Sequence, residues 1–286
     1  MRQQANKTHN PAYIVVLDIE TIVPNPPPAA NGGFPKWPLH QPVVASLLTV
    51  SRGLHGQYRF AMTSVRYDKN NPAQFYNHVE ELLPEHGLLI TVNGRGFDIP
   101  VLAIGAAAAG CWNATTLSKL HRANRFSELH ADLADLYCQF GAAPRASLAE
   151  ICERFGIPVK TDVHGSEVGD LHARGEIQRI VEYCESDVAA TAVAAWAWFA
   201  WRDSNDALLA EPLAAFARWI EADPANRHLR SIARCDLARW AKRRAMVLSV
   251  DHAWDRTHRR ITKENDERAF SAVTGDGSFD DDDLIF

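Results

Sequence analysis

The chain has few cysteines, few methionines and no long apolar run, and each shortage narrows what it can be. Five cysteines occur in 286 residues, an odd number with no C-x-x-C pair. That speaks against a disulfide framework or a structural zinc ribbon, and fits reduced thiols in a cytoplasmic protein. The longest nearly apolar run, 188–201, is fourteen residues and rich in alanine. It falls short of the ~20 residues a bilayer requires, so it reads as a buried helix and no membrane role is expected. The first residues, MRQQANKTHNPA, lack the apolar core of a signal peptide. Also missing are a G-x-x-x-x-G-K-[ST] loop, a G-x-S-x-G elbow and an H-E-x-x-H pair, and Gly94 and Gly96 lack the third glycine of a dinucleotide fingerprint. The twelve histidines are scattered and form no ligand pattern.

What is present is ordinary in total and uneven in distribution. A hydrophobic fraction of 47% and a charged fraction of 23% describe a globular protein. The length suggests about two units at ~150 residues each. The net charge of −5 hides three regions. Residues 1–226 hold 18 basic and 24 acidic residues, residues 227–263 hold 11 and 3, and residues 264–286 hold 1 and 8. Partner choice follows such local charge more than the total.

Along the chain, 13–17 (YIVVL) reads as a fully buried strand. Residues 24–42 hold seven of the fifteen prolines and read as a loop outside any sheet. Strands are expected at 43–50, 58–65, 88–92 and, weakly, 129–133. Helices are expected at 72–83, 100–111, 148–155 and 177–201, then at 208–220 and 229–246. Strands followed by helices alternating with further strands imply an α/β layer fold. From about residue 263 the chain is polar and too poor in apolar side chains to order itself.

Three carboxylate groups stand out. Asp18-Ile19-Glu20 follows the first strand, and residues two apart on extended backbone face the same way. The pair is either a solvated strand end or two hard oxygen ligands for one divalent cation. Asp98, in NGRGFDIP, follows another buried strand. It is either the N-cap of the next helix or a residue at the carboxyl edge of the sheet, where α/β folds place ligands. Tyr183 and Asp187 lie four apart on a long helix, beside the apolar stripe of Ile177, Ile180, Val181, Cys184 and Val188. They are either a plain helix pair or two groups facing a cleft.

Taken together, a strand with D-x-E, a strand end with N-x-x-x-F-D and a helix with Y-x-x-x-D resemble the DEDD superfamily of 3′–5′ exonucleases. The segments LITVNGRGFDIPVL, HADLADLY, SLAEICERFGIPVKTDVHGSEV and GEIQRIVEYCESDVAAT resemble predicted exonucleases related to the proofreading domain of B-family polymerases. Glu182 stands where the histidine-bearing branch carries its histidine, which points to the tyrosine branch. The resemblance implies a ribonuclease H-like fold, a central mixed β-sheet flanked by helices. It also implies that Asp18, Glu20, Asp98 and Asp187 are metal ligands and Tyr183 the catalytic tyrosine. The implied cofactors are two Mg²⁺ or Mn²⁺ ions, which in such chemistry sit ~3.5–4 Å apart and stabilise both oxygens of an in-line displacement. Tyrosine, with an ordinary pKa of ~10, is a poor base at neutral pH and better suited to orienting a water. The expected division is an N-terminal tail at 1–11, the exonuclease domain at 12–203, a helical basic extension at 204–263 and a disordered acidic tail at 264–286.

Other features bear on partners. The expected substrate is nucleic acid, single-stranded DNA before RNA. Asn93 and Phe97 lie beside Asp98 and are candidate nucleic-acid contacts, with Arg95 and Lys160 as further phosphate candidates. Phe34 and Trp37 in the proline-rich loop are either stacking platforms or side chains packed on the body. Asp132 and Asp135 read as strand-end and capping residues. The basic stretch 227–263, with Arg243 and Arg244 at its centre and Trp240 and Trp254 interleaved, is either a phosphate-backbone surface or an amphipathic helix packed on the body. The last residues, DDDDLIF, resemble the acidic tip of bacterial single-stranded-DNA-binding proteins, with Ile285 where those tips carry proline. That likeness implies a protein partner taking Asp282, Asp283 and Phe286, or a tail that covers the basic stretch.

Overall fold

The computed structural model describes residues 13–24, 35–54, 56–159 and 165–273. Strand β1 (Tyr13–Ile22) is apolar on both sides over Ile14 to Leu17, and it takes a central place in a five-stranded sheet. Its neighbours are β2 (Gln41–Arg52), antiparallel, and β4 (Leu88–Thr91), parallel. Strand β3 (Tyr58–Arg66) continues the sheet as an antiparallel partner of β2, and the short β5 (His130–Asp132) lies parallel to β4. The order β3-β2-β1-β4-β5, with β2 running against the rest of the inner strands, is the mixed sheet of a ribonuclease H-like fold.

Helices cover both faces, and the alternation of side chains along β1 assigns them. Ile14 and Val16 point to a core built with α7 (Ile177–Arg202) and α8 (Ala207–Ala222). Val15, Leu17 and Ile19 point the other way, to α1 (Pro72–Leu82), α2 (Asp98–Ala108) and α3 (Thr115–Arg122). The remaining helices before α7 are α4 (Leu133–Tyr137), α5 (Leu148–Phe155) and α6 (Val168–Ala173). Helix α5 starts on a full capping box between Ser147 and Glu150 and ends on Gly156 in the left-handed region.

The structure departs from the sequence expectations in four places. Strand β1 runs on through Asp18 and Glu20 to Ile22, so the carboxylates are on the strand rather than after it. Pro42 belongs to β2: the register slips between Glu20 and Thr21, and that bulge accepts a residue with no N–H. Three short helices, α3, α4 and α6, are not among those expected; α4 and α6, of five and six residues, have too few turns to leave a clear period. Finally, the expected helix 229–246 breaks into a 3₁₀ turn, α9 (Arg230–Arg234) and α10 (Asp236–Val273). Helix α10 crosses the expected boundary at residue 263, helped by the i,i+4 pairs Arg260–Glu264 (3.7 Å) and Lys263–Glu267 (3.6 Å). Among the described residues no helix is long and apolar enough to cross a membrane.

Candidate active site

Period-two alternation places Asp18 and Glu20 on the side of β1 that faces α7, in the row continued by Ile14 and Val16. Helix α7 crosses that face with Tyr183, Cys184 and Asp187 on its near side. The ligand atoms of Asp18, Glu20 and Cys184 lie within 4.8 Å of one another. The Cys184 thiol donates toward the main-chain oxygen of Asp18 (3.4 Å) and lies 3.5 Å from Asp18 Oδ2. Asp98 arrives from the other face. It is the first residue of α2 rather than its cap, and its Oδ1 accepts the N–H of Ile19 at 3.2 Å, tying the helix start to β1 between the two other carboxylates.

The electrostatics of this group are those of an uncompensated cluster. Burial pushes the Asp18 and Glu20 carboxyls well above the usual range, and the charges of their acidic neighbours push them further. Asp98 is raised to about 7 by burial, although its own main chain and the Ile19 N–H favour the ionised form. Asp187 is raised to about 6, again by burial, against a hydrogen bond from the Tyr183 hydroxyl. No cationic side chain among the described residues offsets any of the four. Glu20, 8% exposed, has no hydrogen-bond partner among the described residues. Such a set of hard oxygen donors fits divalent cations of the Mg²⁺ and Mn²⁺ type. The Tyr183 phenol is pushed well up by burial and by Asp187, Glu20 and Asp18, and so stays protonated.

The NGRGFD segment is the device that delivers Asp98. Asn93 adopts a left-handed backbone (φ 61°), and Gly94 passes so near Thr91 that a Cβ would sit 2.4 Å from its hydroxyl. Asp132 accepts the N–H groups of Asn93 (2.8 Å) and Arg95 (2.9 Å), and also caps α4 through Ala134. Arg95, a phosphate candidate by sequence, instead turns inward. It donates to Asp135 (3.2 Å) and to the main-chain oxygens of Ala123 and His130. Arg145 completes the brace through Asp135 (2.8 Å) and Asn93 Oδ1 (2.6 Å). Asn93 is exposed beside this brace, and Phe97 is half-buried with its ring edge-on to His40 at 4.9 Å.

Sequence reasoning placed Cys184 in the apolar stripe and overlooked what lies behind it. Asp18 pairs with Ser46 across β2, and Ser46 Oγ meets Ser64 Oγ at 2.8 Å. Ser64 donates to Glu185 Oε1 (2.6 Å), whose other oxygen lies 2.7 Å from His228 Nε2. The available signal was the spacing: Cys184 is three residues before Asp187 and shares its helix face.

The other sequence candidates fall elsewhere. On α10, Arg243 is exposed, whereas Arg244 pairs with Asp206 (2.7 Å) and Lys242 with Glu221 (2.9 Å), so this part of the helix is clamped to α8 and its surroundings. Trp254 is 73% exposed. Trp37 sits in a 3₁₀ turn before β2. Phe34, Lys160, Asp282, Asp283 and Phe286 lie outside the described residues. A cavity of about 580 Å³, lined in part by His130, Asp132, Asp135, Phe199 and Arg202, lies behind the brace and includes none of the four carboxylates of the cluster.

Residues 32–203, more than half of the chain, match a family described as a predicted 3′–5′ exonuclease related to the exonuclease domain of PolB. The chain belongs to this family. The family match begins downstream of Asp18 and Glu20, so those two residues join the exonuclease-family segment through the sheet, by the pairing of β1 with β2 and β4. No curated protein matches the chain. Among solved structures, the family B DNA polymerase of the hyperthermophilic archaeon Pyrobaculum calidifontis is similar at 18% identity and a TM-score of 0.40. That likeness covers 78% of this chain and 27% of the polymerase, so the chain spans about a quarter of its length.

Proposed function

We propose that the protein is a metal-dependent 3′–5′ exonuclease of the tyrosine branch, hydrolysing phosphodiester bonds from the 3′ end of nucleic acid. The observation that carries this reading is the convergence of Asp18, Glu20, Asp98 and Asp187, Glu20 and Asp98 buried and Asp18 and Asp187 half-buried, with no cationic partner among the described residues. In the proposed enzyme these four hold two Mg²⁺ or Mn²⁺ ions, which when bound supply an activated water and stabilise the charge that develops on phosphate. Asp98 keeps its aim through the Ile19 N–H, and Asp187 through the Tyr183 hydroxyl. Tyr183, held protonated, donates a hydrogen bond and orients the attacking water rather than taking its proton. The P–O3′ bond breaks as the new P–O bond forms, and a nucleoside monophosphate leaves.

The substrate we assign first is single-stranded DNA, in repair or replication. Asn93 and Phe97 flank Asp98 on the substrate side, and Arg243 and Arg244 extend a basic surface along α10. We assign the domain to 12–203, the basic helical extension after it, and partner contacts to Asp282, Asp283 and Phe286, acting in the cytoplasm. The test is digestion of 5′-labelled single- and double-stranded DNA and RNA with Mg²⁺, Mn²⁺ or chelator. A ladder shortening stepwise from the 3′ end of single-stranded DNA, abolished by chelator, is expected. No digestion of any substrate with either metal overturns the reading in favour of a nucleic-acid-binding adaptor.

A further inference from the structure

The carboxylate cluster contains one donor that a purely hard-metal site does not need. Cys184 is fully buried in an apolar cluster with Val43, Val44, Ile180 and Val181, and its sulfur also reaches Asp18, 3.5 Å from Oδ2 and 3.4 Å from the main-chain oxygen. One thiol proton serves two oxygens. A zinc ion at ~2.3 Å from sulfur and ~2.0–2.2 Å from oxygen, with a tetrahedral angle between them, places S and O about 3.5–3.7 Å apart. The Cys184–Asp18 separation already equals that edge. Glu20 supplies a third ligand atom within 4.8 Å of both, and its carboxylate has no other partner among the described residues. Mg²⁺ makes little use of sulfur, whereas Zn²⁺ and Cd²⁺ favour it.

We propose that Cys184 is a metal-selectivity residue: as a thiolate it binds Zn²⁺ or Cd²⁺ together with Asp18 and Glu20, so that a soft divalent ion competes with Mg²⁺ or Mn²⁺ for this position. Binding breaks the S–H bond and forms an S–metal bond, the proton passing to solvent; no electron is transferred. One thiolate and two carboxylates then face one divalent ion. The inference rests on the reading that these carboxylates hold divalent cations, and goes beyond it in adding sulfur to the donor set.

The test is titration of the full chain with Cd²⁺, following the ultraviolet thiolate-to-cadmium charge-transfer band, then displacement of that band by Zn²⁺. One band per chain is expected in the wild type. Cys184→Ser is expected to abolish it and to weaken Zn²⁺ at least tenfold in calorimetry, while Mn²⁺ binding, followed by electron paramagnetic resonance, persists. The reciprocal variant C111S/C235S, which removes the two half-buried thiols, is expected to keep the band. Cys184→Ala serves in place of the serine variant should that one fail to fold. A band that survives loss of Cys184, or unchanged Zn²⁺ affinity, overturns the proposal. Nuclease activity without the band overturns it alone; the band without activity on any substrate upholds it and overturns the exonuclease reading instead.

Discussion

Asp98 and Asp135 are the same residue in nearly the same setting, with opposite surroundings. Each lies in the first turn of a helix, and they are 4% and 3% exposed. Asp135 accepts from two guanidinium groups, Arg95 and Arg145. Asp98 accepts only main-chain N–H groups, its own and that of Ile19, and otherwise meets carboxylates, Asp132 among them. Burying a charge is costly unless it is paired. Where an aspartate is only structural, this chain supplies the pair. At the cluster it does not, and the divalent cations of the proposed function would supply the missing charge.

The largest expected effect breaks the cluster side of that contrast. Asp18→Asn and Asp187→Ala should each lower exonuclease turnover on the order of 10³-fold. Tyr183→Phe, which keeps the carboxylates, should cost about 10²-fold through misplacement of water. Single-turnover assays on labelled DNA check both.

The contrast itself is sharpened by making one substitution on each side and melting the chelated protein at pH 8. Asp135→Asn leaves two guanidinium groups short of an anion and should lower the unfolding free energy by about 2–3 kcal/mol. Asp98→Asn keeps an oxygen for the Ile19 N–H and removes a repelled charge, so it should raise the melting temperature. Two shifts of the same sign would end the distinction between compensated and uncompensated aspartates.

Metal removal tests the same point through pH. Asp98 near 7 and Asp187 near 6 lie above the ~4 of an unfolded aspartate. The native state therefore binds more protons than the unfolded chain between those values, and stability of the chelated protein falls as pH rises from about 4 to 7. Thermal melts at steps from pH 5 to 8 should show this decline, and saturating Mn²⁺ should restore most at the alkaline end. The smallest effect is at the surface. Arg243→Glu should weaken DNA binding and lower the salt slope by about 1, whereas Arg244→Glu, which breaks the Arg244–Asp206 pair, should change the slope less and cost little stability. Filter binding at several salt concentrations reads the slope.

Much of this was legible because the relevant signals are local. Alternation along YIVVLDIE puts Asp18 and Glu20 on one face whatever the fold, and the spacing of Tyr183 and Asp187 puts both on one side of a helix. The glycines of NGRGFD mark a tight backbone before Asp98. Less legible were Cys184, which reads as one more apolar residue of a stripe, and Arg95, whose exposure a single sequence leaves open. Helix α10 was underestimated because its outer half is held by i,i+4 ion pairs and not by an apolar period.

By itself, then, the sequence determined which side chains share a strand face or a helix face, since those depend only on the two backbone periods. The tertiary structure alone decided which faces meet. It laid α7 over β1, so that carboxylates 169 residues apart in number, Asp18 and Asp187, repel one another. It also turned Arg95 toward Asp135 and away from the cluster, leaving four carboxylates without a cationic protein partner among the described residues. Compensation is a property of space, and no one-dimensional pattern records it.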